Sequence, residues 1–103
     1  MNPDIANVPT FVVLPNFKKR GGLITVIAQE IRTKMILMVA STDEAGFRET
    51  LETGEAVYWS TSRKERWKKG ETSGDMQIVR DILVDCDGDA LIYLVEQQGK
   101  GAC

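Results

Sequence analysis

Residues 85–89 read Asp85-Cys86-Asp87-Gly88-Asp89, three carboxylates and one thiol in five positions, directly after the apolar stretch Ile82-Leu83-Val84. In an extended backbone side chains alternate faces, so Asp85, Asp87 and Asp89 are expected on one side and Cys86 on the other. Three like charges on one face repel unless a cation or cationic group neutralises them. Carboxylate oxygens suit a hard ion such as magnesium and a thiolate suits zinc, so the segment can serve a different metal on each face. The Asp-x-Asp-x-Asp spacing, with Glu96 in the twelfth place, also fits an EF-hand loop. Ala90, however, stands where that loop's sharp turn needs glycine, and Leu91 to Val95 reads as a buried strand, so the EF-hand is rejected. The remaining rival is a solvated acidic turn.

A second cluster runs from Ser60 to Gly74 and combines hydroxyls, cations, Trp67 and two glycines. Such a stretch can hold phosphate through charge, hydroxyl donors and exposed backbone N–H groups. Its rival is a solvated basic hairpin. The two cysteines, Cys86 and Cys103, are too few for a closed zinc site of four ligands. A catalytic site uses three protein ligands plus water, so a third must come from a carboxylate, a second chain or further residues. The rival is a small buried Cys86 and an idle Cys103. The sequence has no histidine, which excludes Ser/His and Cys/His catalysis from these residues alone.

The elements that must position these groups are mostly strands. Val8 to Phe17 is apolar but holds Pro9 and Pro15, which suits an irregular or edge segment. Leu23 to Gln29 follows the turn signal Gly21-Gly22, and Lys34 to Ala40 completes a hairpin with it. Ser41 with Glu44 has the form of a capping box, predicting a helix from about Asp43 to Glu52 that ends near Gly54 and turns Ala45, Phe47 and Leu51 to the core. Ala56 to Ser62, Gln77 to Asp87 and Ala90 to Gln97 read as further strands, the last two meeting at Gly88. The fold class expected is α+β, mainly antiparallel β with one clear helix. At 103 residues the chain suits a single domain spanning 1–103. A net charge of −2 argues against nucleic acid or a membrane surface as the main partner, and no apolar run is long enough to span a bilayer. The amino terminus lacks a signal-peptide pattern, so a cytoplasmic, reducing location with free thiols is expected.

Together the segments Leu51 to Ser60, Ser62-Arg63, Trp67 to Gly74 and Asp85 to Leu91 resemble the phosphoribosyl-AMP cyclohydrolase family of histidine biosynthesis, and Gly101-Ala102-Cys103 is similar to the start of its C-terminal motif. The resemblance implies a hydrolase that adds water at C6 of the adenine of N1-(5-phosphoribosyl)-AMP and breaks the N1–C6 bond. It implies an intertwined homodimer with zinc held by cysteines of both subunits, matching Cys86 and Cys103, and magnesium at Asp85, Asp87 and Asp89. A zinc-bound water would be the nucleophile. The substrate, a small nucleotide, would be bound by Ser60, Ser62, Arg63, Trp67, Lys69, Glu71, Thr72 and Ser73, with Lys68 helping to neutralise phosphate. In the family the Ala-Cys pair is followed by a histidine and then a second cysteine; neither is present in this sequence, which points to a natural chain that continues past Cys103. Asp75 stands where the family usually has asparagine, and Ser41-Thr42 where it usually has an aromatic and a methionine. The reading from a different class is a non-catalytic nucleotide- or phosphate-binding dimeric module. Another is a purely structural β domain that dimerises.

Overall fold

A computed structural model of the protein describes residues 15–101. Strong β-formers in period-two alternation build its longest strands. In β1 (Leu23–Glu30), Ile24, Val26 and Ala28 are buried; in β6 (Ala90–Gln97), Leu91, Tyr93 and Val95 are. Between them in the chain come β2 (Ile36–Asp43), α1 (Glu44–Thr53), β3 (Val57–Ser60), β4 (Glu65–Lys68) and β5 (Gln77–Val84). The six strands form one sheet in the order β4-β3-β2-β1-β6-β5. Every pair is antiparallel except β1 with β6, which run parallel. The sheet curls far enough that Glu55, just before β3, bridges Ile78 of β5. Its inner face, with Phe47 of α1, encloses one core of Ile24, Val26, Ala56, Tyr58, Val79, Ile82, Leu91, Tyr93 and Val95.

The α+β class and the one helix among the described residues agree with the expectation. The helix entry does not. Strand β2 continues through Ser41, Thr42 and Asp43, paired with β1 as far as Leu23. Thr42 is fully buried and its hydroxyl donates to the Val57 carbonyl at 3.3 Å, which holds this stretch in the sheet. The cap therefore passes to Asp43, whose Oδ1 accepts the Gly46 N–H at 2.8 Å. A side chain at Gly46 would crowd Thr42 Oγ1 and Asp43 Oδ1, which explains a glycine inside the helix. The helix ends at Gly54 in the left-handed conformation, as expected. Phe47 is buried and Leu51 packs on the core, but Ala45 faces solvent. Of the segment Val8 to Phe17, residues 8–14 lie outside the described residues, and 15–17 form no strand.

The outer face of the sheet is only partly covered. Strand register sets Val39, Ile27, Ile92 and Leu83 side by side across β2, β1, β6 and β5. Val39 is 65% and Leu83 46% exposed.

Candidate active site

The basic stretch folds as a hairpin. Strand β3 pairs with β4 from Val57 opposite Lys68 to Ser60 opposite Glu65, and residues 61–64 turn between them. The Arg63 N–H donates to Ser60 Oγ at 3.2 Å, and the Ser60 and Ser62 hydroxyls lie 3.3 Å apart. After β4 the backbone folds back, with Glu71 N–H on the Lys68 carbonyl and Gly74 N–H on that of Gly70. Hairpin and turn together line an open cleft of about 650 Å³. Ser60, Ser62, Arg63, Trp67, Lys69, Glu71, Thr72 and Ser73 all border it. So do Glu65 and Arg66, which lie in the Ser60–Gly74 stretch but were not expected to bind substrate.

Four cations and two carboxylates thus face this cleft. Lys68 is committed, its Nζ 3.0 Å from Glu55, whose hydrogen bond and charge raise the lysine pKa. Lys69 is not. It is 8% exposed, and among the described residues its ammonium has no salt bridge or hydrogen bond. A lysine packed into a cleft wall without a salt bridge is placed to meet an anionic ligand. Trp67 forms part of the wall, half-buried, with its ring 5.3 Å from that of the buried Tyr58.

The acidic segment is not extended. It is the turn between β5 and β6, so the faces expected from strand alternation do not apply. The carboxylates converge nonetheless: one oxygen from each of Asp85, Asp87 and Asp89 lies within 4.8 Å of the others. Asp85 Oδ1 closes the turn by accepting the Asp89 and Ala90 N–H groups at 3.0 and 3.2 Å. Asp89 is 7% exposed and takes Arg20 at 3.0 Å and Lys19 at 3.5 Å. The Arg20 hydrogen bond, with smaller help from Asp85 and Lys19, holds the Asp89 carboxyl below the usual range. These cations answer the repulsion among the carboxylates; in sequence they stand in the basic run Lys18-Lys19-Arg20. Asp87 is exposed and has neither hydrogen bond nor ion pair among the described residues.

This donor set fits a hard divalent cation. For zinc the described residues supply one thiolate. Cys86 is free and exposed, which corrects the rival expectation of a small buried residue. Cys103 lies outside the described residues. The acidic turn and the cleft sit on different hairpins, and the cleft lining includes neither Cys86 nor the three aspartates.

A family model described as phosphoribosyl-AMP cyclohydrolase matches residues 38–103, which include the hairpin, the cleft and the acidic turn. The chain belongs to the phosphoribosyl-AMP cyclohydrolase family. It is 51% identical over 88 residues to the phosphoribosyl-AMP cyclohydrolase of Desulforapulum autotrophicum, covering 85% of this chain and 70% of that one. It is 58% identical over 82 residues to that of Archaeoglobus fulgidus, covering 80% and 75%. The histidine biosynthesis bifunctional protein HisIE of Aquifex aeolicus is 56% identical over 82 residues, covering 80% of this chain and 40% of that protein. For a cyclohydrolase-family chain, the cationic cleft and the acidic turn are the two groupings with chemistry to offer.

Proposed function

We propose that this chain is a phosphoribosyl-AMP cyclohydrolase, hydrolysing the adenine ring of N1-(5-phosphoribosyl)-AMP in histidine biosynthesis, and that the β3–β4 cleft holds the substrate's phosphate. The observation that carries the second half is Lys69, which is 8% exposed in the cleft wall and has no salt bridge among the described residues. Arg63 and Arg66 add charge at the rim, while Ser60, Ser62, Thr72 and Ser73 offer hydroxyls for phosphate or ribose oxygens. Glu71 would orient ribose, phosphate or their waters, and Trp67 offers a flat apolar surface to a base.

Asp85, Asp87 and Asp89 would hold magnesium, which neutralises phosphate charge. Cys86 and Cys103 would hold zinc, a Lewis acid that lowers the pKa of a bound water to about 7. Ribosylation at N1 makes the purine cationic, so C6 is already electrophilic, and binding that presents this carbon in a fixed orientation supplies much of the rest. A homodimer would bring cysteines of both subunits together at each site, and a third ligand must still come from a carboxylate or from further residues. The apolar row on the outer face of β2, β1, β6 and β5 is the surface we assign to the second copy. A groove bordered by Val39, Trp59, Ser60 and Ser62 makes that face continuous with the phosphate cleft.

The test is ring opening of phosphoribosyl-AMP followed by absorbance. Turnover with zinc and magnesium should be abolished both by zinc chelation and by Cys86→Ala. Activity surviving both would remove the zinc mechanism.

A further inference from the structure

Asp75 joins two segments that are distant in sequence. Its Oδ1 accepts the backbone N–H of Lys100 at 2.8 Å, and its own carbonyl accepts Gln97 Nε2 at 2.8 Å. The same Gln97 amide also reaches the Met76 carbonyl at 3.2 Å, and the Gln98 N–H donates to that carbonyl at 2.7 Å. Behind them, the fully buried Gln77 donates to Gln97 Oε1 at 3.0 Å and accepts the Tyr58 hydroxyl. The end of the Lys69–Ser73 turn is thus fastened to the end of β6 by a hydrogen-bonded joint rooted in the core.

Two glycines let the joint close. Gly70 has φ of 82°, and a Cβ there would run into the backbone of Asp75 and Met76. Gly99 has φ of 69°, and a Cβ there would strike the Asp75 side chain. Both positions therefore exclude any other residue on two counts, conformation and space.

We propose that Asp75 is a positioning residue: as a hydrogen-bond acceptor for Lys100, it fixes the C-terminal segment against the turn that carries Lys69, Glu71, Thr72 and Ser73. This rests on the reading of that turn as part of the substrate site. A segment leading to Cys103 and a segment binding substrate are then held in one geometry, and small displacements between such groups lower rates steeply.

The test compares Asp75→Ala and Asp75→Asn in the full chain, by backbone hydrogen exchange and by turnover of phosphoribosyl-AMP. In Asp75→Ala, amides at 70–76 and 98–101 should exchange at least tenfold faster and kcat/KM should fall at least tenfold. Asp75→Asn keeps an acceptor oxygen and should stay within twofold of wild type in both. Unchanged exchange in Asp75→Ala would overturn the inference, as would an asparagine variant as impaired as the alanine one, because charge rather than acceptance would then matter. If Asp75→Ala does not fold, Lys100→Pro removes the donor instead and is read the same way. A wild-type chain without turnover overturns the reading of the substrate site and the catalytic half of this inference, while the exchange result decides the joint alone.

Discussion

The three aspartates of the β5–β6 turn are not equivalent. Asp85 spends one oxygen on two backbone N–H groups, Asp89 is paired with Arg20 and Lys19, and Asp87 has no partner among the described residues. Their effects should separate. Asp87→Asn should weaken magnesium binding about tenfold in calorimetric titration while leaving the urea midpoint unchanged. Asp85→Ala should weaken binding and also cost about 1–3 kcal/mol in urea unfolding, because two N–H groups lose their acceptor. Equal stability of the two variants would contradict these assignments. The motif was legible at this scale: the aspartates do meet. The cause was misjudged, since a turn rather than strand alternation brings them together. Lys19 and Arg20 were overlooked because nothing local in sequence links them to a turn some seventy residues on.

Strands were the most readable elements. Alternation in Leu23–Glu30 and Ala90–Gln97 is plain, and turn residues mark their ends. The N-cap was displaced by two residues, from Ser41 to Asp43, because a tertiary contact, buried Thr42 against β3, outweighs the local capping box at Ser41. Nor could local pattern reveal the parallel β1–β6 pair, which joins strands far apart in the chain. That pairing creates the apolar row Val39, Ile27, Ile92 and Leu83. Fully covering one such side chain is worth about 1.5–3 kcal/mol, enough for several together to drive association. Val39→Asp, on the most exposed of the four, should convert a dimer to a monomer by light scattering while the circular dichroism spectrum is retained. A variant of undiminished mass would assign the second copy to a different surface.

At the scale of the whole molecule, the curled sheet presents two hairpins with different chemistry, β3–β4 basic and β5–β6 acidic, on one core. The stretch Ser60 to Gly74 held the residues that border the cleft, but did not show that Lys68 is paired with Glu55 while Lys69 has no salt bridge among the described residues. That distinction depends on burial. It also gives the most direct test of the central claim, that the Lys69 ammonium binds substrate phosphate. Lys69→Met keeps the apolar stem and removes the charge, so the fold should persist. Steady-state kinetics of phosphoribosyl-AMP ring opening should then show KM raised at least tenfold, whereas Lys68→Met should change it less than threefold. A Lys69→Met enzyme with wild-type KM and kcat would contradict the account.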